Sequence, residues 1–166
     1  MVTAKSLYSK QVMKHFKNPK NIGKIKDPDG VGKVGNIVCG DVMMFYIKVK
    51  KDMISDIKFQ TFGCVVAIAV SSALTEMVKG KSVKYAMKVT NQDILKKLGN
   101  VPSLKIHCSV LAADALHEAI YDYFSKNKME IPESLEAEHK RVNKTLEKVE
   151  KKHKHAQLEE ELLDNF

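Results

Sequence analysis

Cysteine is scarce in this 166-residue chain, arginine scarcer still, and no long apolar run occurs anywhere in it. Three cysteines are an odd number, and no apolar stretch near the N-terminus suits a cleaved signal, which argues against a secreted disulfide framework and for thiols kept reduced. The only arginine is Arg141. A mitochondrial presequence is arginine-rich, so the reading is of a prokaryotic-type cytoplasmic protein. Residues 64–78 form the most apolar stretch, but Ser71, Ser72, Thr75 and Glu76 interrupt it and it is too short to cross a bilayer. No membrane role is expected. A chain of this length buries one sizeable core, so one domain plus an extension is expected.

The formal charge of +8 is unevenly placed. Residues 131–166 carry 7 basic and 9 acidic side chains, leaving 21 basic and 11 acidic in residues 1–130. The lysines of this basic body are scattered, with no glycine–aromatic RNA-binding motif among them, so no nucleic acid is expected. Acidic proteins or an anionic cluster fit the charge better, as does a plain lysine-rich solvated surface.

The spacing of Leu7, Val12, Met13 and Phe16 predicts a short amphipathic helix from Leu7 to Phe16, stopped by Asn18-Pro19, and a loop then runs to about Gly32. Short β-rich runs follow at Val34–Val38, Val42–Val49 and Ile54–Phe62, with Lys50-Lys51-Asp52 as the turn between the last two. Ile57 and Phe59 alternate with Asp56, Lys58 and Gln60, the period of a sheet with one covered face. Helices are expected at Val65–Lys79, stopped by Gly80, at Ser82–Met87, at Thr90–Leu98 with a Thr90/Asp93 capping box, and at Leu104–Phe124. The fold class is therefore α+β: a small three-stranded antiparallel sheet packed against helices.

Each cysteine sits in its own short signature at a segment junction: Cys39-Gly40-Asp41, Phe62-Gly63-Cys64 and Lys105-Ile106-His107-Cys108-Ser109. Thiolate, imidazole and carboxylate are the ligands of zinc and iron–sulfur clusters, so a metal or cluster site built from three distant stretches is expected. Cys64 and Cys108 fall near helix N-termini, whose partial positive charge favours an anionic ligand. Gly40 permits a sharp turn that aims Cys39 and Asp41 at one site. Plainer roles remain open at this stage. Cys64 suits a small core hydrophobe, His107 a packing residue, Asp41 a turn residue bonded to nearby amides, and Lys105 a solvated side chain. Adjacent His107 and Cys108 point about 100° apart on a helix, so sharing a metal is not automatic.

From about Leu7 to Phe124 the chain resembles the iron–sulfur cluster assembly scaffolds of the IscU and NifU N-terminal type. The resemblance rests on Tyr8-Ser9, Asn18-Pro19-Lys20-Asn21-Ile22-Gly23, Val38-Cys39-Gly40-Asp41-Val42-Met43, the stretch from Thr61 to Ser72 with Thr75-Glu76 and Lys79-Gly80-Lys81, and Lys105-Ile106-His107-Cys108-Ser109-Val110-Leu111-Ala112. It implies a SufE/NifU-like fold over residues 1–130 that builds a [2Fe-2S] cluster, with [4Fe-4S] as a further form, from iron and from sulfur delivered by a cysteine desulfurase. The cluster then passes to apo iron–sulfur acceptor proteins. It also implies Cys39, Cys64 and Cys108 as cluster ligands, Cys108 as first sulfur acceptor, Asp41 and His107 competing for the remaining position, and Lys105 nearby. An electron donor and a homodimer sharing the cluster belong to the same picture, and zinc is an alternative occupant. The protein would then be a scaffold and carrier rather than an enzyme.

Two readings from other classes stand beside it: a zinc-binding regulatory partner of a desulfurase, and a cysteine-dependent hydrolase or transferase using Cys, His and Asp, for which the motifs lack a glycine-rich oxyanion signature. Where many relatives carry Leu-Pro-Pro-Val-Lys, the recognition sequence of an Hsp70-type chaperone, this chain reads Val101-Pro102-Ser103-Leu104-Lys105, which puts chaperone-assisted release in question. Residues 131–166 contain no cysteine, so a scaffold module without further cluster-bearing domains is expected. In that charged extension Leu135, Val142, Val149, Ala156 and Leu163 recur every seven residues, predicting a long helix. His139, His153 and Glu160 occupy most of its second seam, so docking on the body or on a partner is expected rather than an autonomous coiled coil. His153 and His155 stand among lysines and make a poor metal site.

Overall fold

The computed structural model describes residues 7–36 and 40–163, without the side chains of His153 and of residues 155–163. Helix α1 covers Lys10–Lys17. It starts three residues later than its apolar spacing predicts because Ser9 is extended and caps it, its hydroxyl accepting from the Val12 N–H at 3.0 Å. That hydroxyl also donates to the Leu98 carbonyl, tying the cap to a distant helix end. Val12 and His15 are the buried face of α1.

Strands β1 (Gly30–Gly35), β2 (Val42–Lys50) and β3 (Met53–Phe62) form an antiparallel sheet in the order β1-β2-β3. Lys51 and Asp52, both at positive φ, make the β2–β3 turn, as type I′ hairpins require. The first strand differs from the expected Val34–Val38 by beginning at Gly30, inside the stretch read as loop. Its glycines serve packing: a Cβ at Gly30 would lie 2.0 Å from the Ala119 carbonyl oxygen, and one at Gly32 2.0 Å from that of Ala115. The strand thus lies directly against a helix backbone, a role that hydrophobic periodicity does not register.

Helix α2 (Val65–Val78) is buried on nearly every side, as its apolar sequence predicts, and the left-handed Gly80 follows its end. Ser82 caps the short α3 (Val83–Ala86), and α4 (Asn91–Leu98) carries the expected reciprocal Thr90/Asp93 capping box. A 3-10 turn at Ser103–Lys105 replaces the start of the predicted last core helix, so α5 runs from His107 to Lys126. The core lies between the sheet and α2, α4 and α5. Met43, Phe45, Ile47, Ile57 and Phe59 from the sheet are completely buried there with Leu74, Ile94 and Leu116.

Helix α6 (Glu133–Leu163) packs on α5 and β1. The sevenfold spacing has its expected use: Leu135, Val142 and Val149 are buried, and the Val149 and Leu146 methyl groups lie 3.4 Å from where a Cβ of Gly35 would stand. The side chains of Ala156 and Leu163, and those of His153 and His155, lie outside the described residues. Hydrogen-bonded His–Glu pairs cross the α5–α6 seam in both directions. His117 Nδ1 lies 2.7 Å from Glu138 Oε2, and His139 Nδ1 2.9 Å from Glu118 Oε2. The His139 ring stacks on Tyr121 at 3.6 Å between centroids. Arg141 forks onto Asp114, Nη2 to Oδ1 at 2.8 Å and Nη1 to Oδ2 at 3.1 Å. Burial pushes the Glu118 carboxyl up from its ordinary range, opposed by His139.

Candidate metal or cluster site

Strand register sets the site's location. Gly35 pairs with Val42, and Val42 with Phe62, so the loop after β1 and the junction after β3 leave the sheet at the same end. The first loop is closed on itself: the Asn36 N–H donates to the Asp41 carbonyl and the Gly40 N–H to the Asn36 carbonyl, both at 2.9 Å. Gly40 adopts φ +71°, the left-handed conformation that suits glycine. Cys39, the first predicted ligand, lies outside the described residues. Asp41, two positions on, is buried at 6% exposure, unusual for a carboxylate, and that burial favours a role beyond a solvated turn.

The other two junctions are helix starts. Cys64 is the N-cap residue of α2 and makes no capping bond through its side chain. Cys108 is the second residue of α5 and is fully buried. Their Sγ atoms are 3.9 Å apart, nearly twice a disulfide length. The Cys108 thiol also donates to Asp41 Oδ2 at 3.6 Å. His107, despite the helical offset from Cys108, offers a ring nitrogen that lies with Asp41 oxygen and Cys108 sulfur inside a group whose members are all within 4.8 Å of one another. The first helical turn, entered from the 3-10 turn, brings both neighbours to one place. His107 Nε2 is buried without a hydrogen-bond partner; the only other such side-chain atom among the described residues is His117 Nε2. An imidazole, a thiol and a carboxylate converging within 4.8 Å form a donor set that fits a metal cation.

Asp41, Cys64, His107 and Cys108 are thus brought together from three segments, whereas Lys105 closes the 3-10 turn, partly exposed and without an ion pair among the described residues. Soft sulfur with imidazole and one carboxylate suits zinc or sulfide-bridged iron better than a hard cation such as magnesium. The donors can bind a metal, and the thiols can accept sulfur by thiol–disulfide-type exchange.

Two features escaped sequence reasoning. Phe62 and Leu104, at 82% and 85% exposure, flank the site as large apolar side chains in solvent. The alternation that sends Lys58 and Gln60 outward carries Phe62 with them, so that signal was present; Leu104 had none. The second is a cavity of about 210 Å³ between α5 and α6, lined by Asn36, His107, Val110, Asp114, Arg141 and Thr145 among others. It puts the docked extension beside a candidate ligand. Val110 of α5 is 38% exposed and lines this cavity.

The family model of the NifU-like N terminal domain matches residues 7–130. Iron-sulfur cluster assembly scaffold protein IscU 1 of Archaeoglobus fulgidus is 60% identical over 121 residues, spanning 73% of this chain and 79% of that protein. The scaffold protein IscU of Aquifex aeolicus is 53% identical over 121 residues, spanning 72% and 77%. The structure of a NifU-like N-terminal protein from Brucella abortus superposes with a TM-score of 0.63 at 19% identity, over 72% of this chain and 96% of that one. A putative iron–sulfur cluster assembly scaffold for the SUF system from Fervidobacterium islandicum gives 0.61 at 23% identity, over 71% and 99%. These two structures share the fold. No helix among the described residues is long and apolar enough to cross a membrane.

Proposed function

Because the chain belongs to the NifU-like N-terminal domain family, we propose that it is a scaffold for iron–sulfur cluster assembly, with Cys39, Cys64 and Cys108 as ligands and Asp41 and His107 sharing the remaining position. The observation that carries this reading is the convergence of Asp41, His107 and Cys108 donor atoms within 4.8 Å, with the Cys64 sulfur 3.9 Å from that of Cys108. In this account residues 1–130 are the working module and residues 131–166 a helical extension docked beside it.

Assembly begins with sulfur. The Cys108 thiolate attacks the outer sulfur of a persulfide on a cysteine desulfurase; the S–S bond of that persulfide breaks, its inner sulfur leaves as thiolate, and Cys108 carries the persulfide. Two ferrous ions and two such sulfane sulfurs then give a [2Fe-2S] core. Reducing both sulfurs to sulfide takes four electrons, of which oxidation of the irons to ferric supplies two and an electron-donor partner the other two. The position of Cys108 in the first turn of α5 favours the anions formed along this path. Three thiolates leave the core with one net negative charge; Asp41 adds a second, and neutral His107 adds none. A carboxylate is a poor match for sulfide-bridged iron, so Asp41 is the ligand an incoming apo-protein displaces first.

The test is transfer of the first sulfur. After incubation with a desulfurase and cysteine, intact mass is expected to rise by one sulfur atom, with the persulfide mapped to Cys108 and absent from Cys108→Ser. Bound zinc with no added sulfur on any cysteine contradicts the proposal and points to a zinc-binding regulator of the desulfurase.

A further inference from the structure

We propose that Gly63 is a positioning residue for Asp41, its missing side chain forming the seat of the buried carboxylate; the inference rests on the scaffold reading for what Asp41 does. A Cβ built at Gly63 would stand 3.1 Å from Asp41 Cγ and 3.2 Å from its Oδ1. Both distances are tighter than nearly all contacts that real Cβ atoms make, so the carboxylate would have to give way by a few tenths of an ångström. The other carboxylate oxygen, Oδ2, accepts from the Cys108 thiol at 3.6 Å. The carboxylate therefore lies between the space a Gly63 side chain would fill, near Oδ1, and the Cys108 sulfur, near Oδ2. With Asp41 only 6% exposed, a carboxylate pushed off Gly63 must move toward the sulfur or out of its pocket.

Backbone conformation does not account for this glycine. Gly23, Gly40, Gly80 and Gly99 have positive φ, where other residues are strained, but Gly63 does not. Space is the remaining requirement, and it has two parts: the Asp41 carboxylate and the Ala67 Cβ, which would lie 2.8 Å from a Gly63 Cβ. Ala67 is a fully buried residue in the first turn of α2. The two contacts separate experimentally, because Ala67→Gly removes the helix contact and leaves the carboxylate contact in place.

Cobalt(II) titration of the purified protein reads the site without any cluster chemistry. Thiolate-to-cobalt charge-transfer bands report the cysteines, and visible ligand-field bands report the oxygen and nitrogen donors. Gly63→Ala/Ala67→Gly is expected to keep the charge-transfer bands, shift the ligand-field bands as Asp41→Ala does, and weaken cobalt binding about tenfold, the lower end of what is lost with groups that orient metal ligands. Added to Asp41→Ala, the pair is expected to cause no further change. Ala67→Gly alone keeps the parent spectrum, and thermal melts confirm folding. A parent-like cobalt spectrum and affinity in the double variant overturns the proposal, as does an additive loss on top of Asp41→Ala or a parent spectrum that Asp41→Ala leaves unchanged. Failure to assemble clusters would instead count against the scaffold reading and leave the cobalt result standing.

Discussion

Asp41 concentrates the chemistry of this site in one side chain: a nearly buried carboxylate with a thiol against one oxygen and, beside the other, the space left by the missing side chain of Gly63. If it is the exchangeable ligand, Asp41→Ala slows release, and the half-time of cluster transfer to an apo-ferredoxin is expected to lengthen several-fold; an unchanged half-time contradicts that role. The sequence named Asp41, Cys64, His107 and Cys108 because each sits in a short signature at a junction. It could not show that His107 and Cys108 reach one point, since helical spacing alone turns neighbours apart, and the 3-10 entry into α5 is a local backbone detail. Nor could it show what Gly63 is for. A glycine that makes room leaves no periodic trace.

His15 shows how burial couples one residue to the packing of an element. On α1, its Nδ1 lies 2.8 Å from Ser72 Oγ of α2, and its Nε2 lies 3.7 Å from Glu76. Burial pushes its pKa down, with Lys97, Lys14 and Lys20 acting in the same direction and Glu76 opposing. The unfolded chain therefore takes up a proton at this residue at higher pH than the folded one does. The contribution to stability is complete above the unfolded value of about 6.5 and is lost as pH falls from there toward the folded value. Melting temperatures at about pH 8 and pH 5.5 are expected to fall further for the parent than for His15→Gln; equal losses would show that another group governs acid sensitivity.

The helices and the last two strands were legible at this scale because α2 is apolar all round, Thr90 and Asp93 have capping-box spacing, and β3 alternates. Strand β1 was legible only from Val34 onward, because the inward positions before it are Gly30 and Gly32 rather than Val or Ile. Gly32→Ala places a methyl against the Ala115 carbonyl oxygen, a contact with backbone that rotamer change cannot relieve. Overpacking of this kind costs about 1–3 kcal/mol or more, and urea denaturation is expected to show a loss at or above that range. A loss near zero would mean that α5 moves easily off the strand.

For the whole molecule, the antiparallel order β1-β2-β3 makes a scaffold site from separated residues by bringing the end of β1, the start of β2 and the end of β3 to one edge, where α2 begins and the first residues of α5 meet Asp41. The resemblance of the motifs pointed to this architecture, and the fold agrees with it. The extension was readable as a helix with an apolar seam, but its docking surface was not, because that surface is a glycine-bearing strand and the α5 face carrying Asp114, His117 and Glu118. Its docking places Arg141 and Thr145 on a cavity shared with His107.

On the proposed function, this site holds a cluster made from separate iron and sulfur. Anaerobic incubation of the protein with ferrous iron, cysteine, a reductant and a desulfurase, followed by iron and acid-labile sulfide assays and Mössbauer spectroscopy, tests it most directly. Iron and sulfide are expected in equal amounts with a [2Fe-2S] signature, lost in Cys108→Ser. Retained zinc with no labile sulfide incorporated would contradict it.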